Sequence, residues 1–99
     1  MSKIFVDQTS LRIILTTNVV IDSDARMVEI RYRKPDGTIG ALDADIQDPV
    51  TGIIFHDLDS DSILLDQRGP WKFWSYVVFG DGRKARGETV GVTIWSEDE

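Results

Sequence analysis

The stretch Gly69-Pro70-Trp71-Lys72-Phe73-Trp74-Ser75-Tyr76-Val77-Val78-Phe79 constrains the fold more than any other part of this chain. Trp71, Phe73, Ser75, Val77 and Phe79 share one parity; Lys72, Trp74, Tyr76 and Val78 share the other. Side chains that repeat with a period of two stand on opposite faces of a strand, so the pattern predicts a central strand whose two faces meet different surroundings. Gly80-Asp81-Gly82 then supplies residues that accept positive φ in a tight turn. Val90, Val92 and Ile94 alternate with Gly91, Thr93 and Trp95, which predicts a second strand folding back antiparallel on the first.

The rest of the chain reads in the same way. Ile4 to Val6 is a short apolar run suited to an edge strand, and Leu11 to Leu15 a second strand closed by Thr16-Thr17-Asn18. Val19-Val20-Ile21 leads into the turn cluster Asp22-Ser23-Asp24-Ala25. From Met27 to Arg33, Val28, Ile30 and Tyr32 alternate with Glu29, Arg31 and Arg33, the pattern of a half-buried strand. Lys34-Pro35-Asp36-Gly37 is a hairpin signal, because Pro35 presets φ for a type I turn and Gly37 takes the left-handed conformation after it. Thr38 to Leu42 returns as its partner, Asp43 to Gly52 reads as a loop, and Ile53-Ile54-Phe55 as another strand. Leu64 to Gly69 resembles the corner before the penultimate strand of many immunoglobulin-like domains. No segment carries a 3.6-residue apolar stripe long enough for a helix. The expected fold is therefore all-β, an immunoglobulin-like β-sandwich of about seven antiparallel strands.

Length and composition set the remaining bounds. The 99 residues are expected to form a single immunoglobulin-like domain over 1–99 with a short acidic tail at 97–99. No apolar run approaches the roughly 20 residues of a membrane span, and Met1-Ser2-Lys3-Ile4 lacks the apolar core of a signal peptide. A protein made and kept in the cytoplasm, unless an assembly carries it out, is the corresponding expectation. The sequence has no cysteine, so neither disulfides nor thiolate metal sites contribute, and packing must hold the core.

The charge is −6 overall, but its distribution is more informative. From Pro35 to Gln67 there is no basic residue, and eight aspartates give that segment −8, leaving +2 for the remainder. Arg31, Arg33, Lys34, Lys72, Arg83, Lys84 and Arg86 come together as a basic patch if the strands pair as expected. The overall acidity argues against nucleic acid as the main partner, since such binding needs a phosphate-neutralising surface.

Catalytic and metal-binding constellations are weak. Asp57-Leu58-Asp59-Ser60-Asp61-Ser62 imitates the opening of a calcium loop, but its sixth position is Ser62 rather than glycine and its twelfth is Arg68 rather than glutamate. A solvated acidic loop is the simpler reading. His56 stands without a nucleophile or a cysteine in any recognisable motif and fits a plain role near a strand end. Gly80-Asp81-Gly82 is explained by its turn rather than by phosphate binding. The expectation is a protein without catalytic residues, cofactor or metal.

Trp74 and Tyr76 fall opposite the inward parity of Trp71 and Phe73, beside Arg31, Arg33 and Arg86. Aromatic rings next to arginines are favoured at protein–protein hot spots. Trp95, opposite in parity to Val92 and Ile94, extends this candidate interface of Arg31, Arg33, Trp74, Tyr76, Arg86 and Trp95. The competing view is that both faces are covered within the domain or shielded by long Arg and Lys stems.

Three strings, Arg31 to Thr38, Leu65 to Lys72 and Gly82 to Val90, resemble a group of small tailed-phage and prophage proteins. That group is similar to the immunoglobulin-like N-terminal domain of baseplate upper proteins. There a strand ends in a Lys-Pro-Asp-Gly hairpin, a Leu-Asp…Gly-x-Trp corner opens the next, and Gly-Glu-Thr-Val begins the last. The chain departs from the pattern in a longer link between Phe55 and Leu65, and is expected to lack a following domain of the kind an adaptor uses. The resemblance thus implies a stand-alone, non-enzymatic virion protein. It would be present in many copies and bound to a structural protein of the capsid, connector, tail or baseplate. A carbohydrate-binding module, with exposed rings as sugar platforms, is the alternative.

Overall fold

The computed structural model describes residues 4–5, 11–21, 24–58 and 65–96. The chain forms β1 (Ile4–Phe5), β2 (Leu11–Thr16), β3 (Ala25–Arg33), β4 (Ile39–Asp43), β5 (Asp45–Asp48), β6 (Ile53–Leu58), β7 (Gly69–Phe79), β8 (Lys84–Arg86) and β9 (Val90–Trp95). The larger sheet has the order β1-β9-β7-β3-β4, with β8 also on β7; the smaller has the order β2-β6-β5. All ladders are antiparallel except that of β1 on β9. The two sheets pack face to face as an all-β sandwich. No helix long and apolar enough to cross a membrane occurs among the described residues.

The long strand β7 lies at the centre, as its alternation predicts. One of its edges pairs with β3 from Lys72 to Phe79, while the other takes β9 at Gly69–Phe73 and β8 at Tyr76–Val78. Trp71, Phe73, Ser75, Val77 and Phe79 are buried, and they meet Leu15, Ile30, Ile54, Leu58, Leu65 and Ile94 between the sheets. Each fully buried large apolar side chain contributes roughly 1.5–3 kcal/mol. The inward parity is thus the one read from the sequence.

Both hairpin turns use one device. Gly37 N–H donates to the Lys34 carbonyl at 2.9 Å and Lys34 N–H to the Thr38 carbonyl at 2.8 Å, with Gly37 at φ 93°. Gly82 repeats this at φ 90°, donating to Phe79 at 3.0 Å, while Phe79 donates to Arg83 at 2.9 Å. In each turn the preceding aspartate accepts from the residue after the glycine: Asp36 from Thr38 at 2.9 Å and Asp81 from Arg83 at 3.0 Å. The positive φ explains why glycine closes both turns.

Two strands were not legible as such. The stretch Asp43 to Gly52 is not a continuous loop, because Asp45–Asp48 pairs with β6 as an edge strand. Its acidic, largely exposed side chains carry no apolar alternation, which is how edge strands avoid pairing with other chains. Only Ala44 separates β4 from β5, so the chain passes directly from one sheet into the other, and Ala44 N–H donates to the Val28 carbonyl at 3.0 Å. On the far side of β7, the strand predicted over Val90 to Trp95 is β9, and a separate short strand, β8, precedes it and is parted from it at Gly87–Thr89. There the Gly87 N–H donates to both the carbonyl and Oγ of buried Ser75, at 3.2 and 3.0 Å. A Cβ on Gly87 would collide with Ser75 Oγ and lie 2.8 Å from the Thr16 carbonyl of the opposite sheet.

The first two of the three recognisable strings form one unit. Lys34 Nζ binds both Asp66 carboxylate oxygens at 3.0 Å, Gln67 Nε2 donates to Asp36 at 2.8 Å, and the Trp71 indole N–H donates to the Gln67 carbonyl at 2.8 Å. Gly69, at φ 119°, lies against Pro35. The Lys-Pro-Asp-Gly turn is therefore clamped onto the corner that opens β7. The indole N–H thus ties the start of β7 back to the chain four residues upstream.

Candidate interaction surface

The outer face of the larger sheet is built from the residues of β3, β4, β7 and β8 that the pleat turns away from the core. The register sets its rows. Arg33 stands between Ile39 and Lys72, and Lys72 faces Gly91; Arg31 stands between Ala41 and Trp74; Glu29 lies between Asp43 and Tyr76, and Tyr76 faces Arg86; Met27 faces Val78, which faces Lys84. The structure thus brings Arg31, Arg33, Trp74, Tyr76 and Arg86 together on one surface. Trp95 is also on the outward parity, but it follows Ile94, the partner of Gly69. Six residues along a strand separate its level from that of Trp74, roughly 20 Å. It lies half-buried at the far end of the sheet, apart from the other five.

The rings are covered in a specific way. The Arg31 guanidinium carbon sits 3.6 Å from the Tyr76 ring centroid, and that of Arg86 5.1 Å from Trp74. Arg31 is held by Glu29 at 3.3 Å, whereas among the described residues Arg86 is held by neutral oxygens, the Gly87 carbonyl at 3.0 Å and Thr89 Oγ1 at 2.8 Å. Guanidinium stacking on an aromatic face contributes about 0.5–1 kcal/mol at exposed sites. The rings therefore present an aromatic–arginine surface rather than bare apolar faces, combining the expected interface with the expected shielding.

The charges sort themselves by location. Ion pairs engage Arg12 with Asp57, Arg26 with Asp24, Arg31 with Glu29, Lys34 with Asp66 and Arg83 with Asp81. Arg31, Lys34 and Arg83 of the predicted basic patch are thus engaged by carboxylates of the chain itself. Arg33, Lys72, Lys84 and Arg86 meet no carboxylate among the described residues, and all four lie on this outer face. Unlike the rings, this concentration of unpaired cations follows from which aspartates the other cations consume, which the sequence does not state.

The weaker candidates resolve differently. Asp57 accepts from Arg12 at 2.7 and 3.1 Å, and this arginine holds its carboxyl below the usual carboxylate range. Asp59 to Ser62 of the calcium-like string lie outside the described residues, as does the tail 97–99; no metal-binding cluster occurs among the described ones. His56 bonds through Nδ1 to the Asp43 carbonyl at 2.6 Å. Since a carbonyl only accepts, Nδ1 carries the proton, and His56 ties β6 to the crossing between sheets.

Fold and surface define a two-sheet β-sandwich with one aromatic, cation-rich face. Comparison with models of protein families, with curated proteins and with solved structures gives no match.

Proposed function

We propose that this chain is a non-enzymatic structural or accessory protein of a tailed-phage virion. It binds another structural protein of the capsid, connector, tail or baseplate through the outer face of the β3–β7–β8 sheet. The observation that carries this reading is the grouping of Trp74 and Tyr76, each under an arginine, with four cations that have no carboxylate partner among the described residues. Rings and arginines at the centre of an exposed face are the composition of an interface core. The resemblance in the hairpin and corner strings, which here form one clamped unit, supports the virion setting.

A sugar platform needs an open ring face, and guanidinium groups occupy those of Trp74 and Tyr76. The carbohydrate reading is correspondingly less well supported. The test is incorporation of the Trp74→Ala/Tyr76→Ala variant into particles, with folding checked by circular dichroism. Loss of incorporation with the fold intact is expected. Normal incorporation eliminates this face as the contact.

A further inference from the structure

We infer that the partner meets this face with carboxylates, an acidic protein surface seated on the row Arg33–Lys72–Gly91, with Arg86 and Lys84 standing four and six residues further along β7 on the same face. The inference rests on the reading of this face as an interface and adds the chemistry of what binds there. Arg33 and Lys72 are directly opposed across the β3–β7 ladder. Directly opposed residues have Cβ atoms about 5 Å apart, where like charges destabilise a sheet. Neither forms an ion pair with a carboxylate of the described residues that would relieve the repulsion. An anion supplied from outside would relieve it, turning an unfavourable pair into a bidentate cationic clamp.

The surface also has room for such a group. Gly91, the cross-strand neighbour of Lys72, is exposed, and a Cβ added there would touch nothing within 4 Å. A side chain reaching Lys72 from above the sheet enters over this gap without displacing a neighbour.

The charge pattern favours a protein over a phosphate polymer. Glu29 and Asp43 stand on the same face beside the cations, and the chain as a whole carries −6. A continuous polyanion leaving the clamp would run into these carboxylates, whereas a protein surface can set acids against the cations and bases against the rim. The rings that would stack on bases are already covered by Arg31 and Arg86.

The test uses the isolated protein, 15N-labelled and titrated at low salt with a hexaglutamate peptide. Saturable amide shifts are expected along β3, β7 and β9 around Arg33, Lys72 and Gly91. They should vanish at about 0.5 M salt, where the screening length is only a few Å. Arg33→Gln/Lys72→Gln should weaken the titration about tenfold, as loss of two partly exposed ionic contacts implies. Its thermal midpoint should not fall, because the substitution removes a repulsion; a purely structural role for the pair predicts the opposite. Absence of shifts on this face, or an oligothymidylate of equal charge binding more tightly than the peptide, overturns the inference. Either result leaves the interface itself to the incorporation test of Trp74→Ala/Tyr76→Ala, so the two failures are distinguishable.

Discussion

Trp71→Phe tests the clamp between the Lys-Pro-Asp-Gly turn and the start of β7. Trp71 is fully buried, stacks on Phe73 at 6.1 Å between centroids, lies 5.9 Å from Tyr32 and has Lys34 Nζ 5.7 Å from its ring. Phenylalanine keeps much of this packing but loses the indole N–H that donates to the Gln67 carbonyl. Leaving a part-buried acceptor without its donor costs about 1–3 kcal/mol. The missing part of the ring system adds about 1–2 kcal/mol, a fraction of the 3–5 kcal/mol typical of aromatic-to-alanine changes in cores. The expected loss is therefore roughly 2–5 kcal/mol, against a total of about 5–15 kcal/mol for a domain of this size. Urea unfolding followed by tryptophan emission measures it, because Trp74 and Trp95 remain as reporters. The midpoint should fall with little change in slope, and the melting temperature should drop by roughly 8–40 °C. A loss below about 1 kcal/mol would refute the reasoning, since the corner would then be held by packing without its hydrogen bond.

Two further outcomes follow from other contacts. Gly87→Ala should destabilise by about 1–3 kcal/mol, the usual cost of forcing a methyl group into a closed site, measured by the same urea titration. Its Cβ would be trapped between Ser75 Oγ and the Thr16 carbonyl of the other sheet. Asp36 is held below the usual carboxylate range, first by the Thr38 N–H and then by Gln67, Asp57 by Arg12, and Asp81 by Arg83. These depressed values mean that the unfolded chain binds protons first, below about pH 4, so stability is complete above that value and lost as the pH falls through the folded values. Asp36→Asn should flatten the acid limb of a stability-against-pH curve, and an unchanged limb would exclude Asp36 as a contributor.

The sandwich was legible because its core strands announce themselves by period. Trp71, Phe73, Val77 and Phe79 on one parity, with Val28 and Ile30 on another strand, leave little choice of face. The Asp-Gly turns were equally plain, since the left-handed residue has a sequence cost that only glycine avoids. Asp45–Asp48 was not legible, because its strand state comes from pairing with β6 rather than from its own side chains. The break at Gly87 was hidden as well; it depends on Ser75, twelve residues away, and on Thr16 from the opposite sheet. For the surface, parity revealed Trp74 and Tyr76, but not which cations remain unpaired. Lys34 finds Asp66, 32 positions later, through the folded clamp alone. Trp95 was grouped with the others by parity, which gives the face of a residue but not its height along the strand.

The passage from β4 to β5 through the single residue Ala44 has a mechanical meaning. Along that margin the layers are stitched by a backbone with no slack, and His56 adds a cross-tie to Asp43. At the opposite margin, Ile13, Leu15, Phe73 and Val92 line an apolar hollow of about 190 Å³. Any parting of the two layers must therefore swing about the stitched side and widen that hollow. The aromatic–arginine face, all on one layer, would ride through such a movement without distortion.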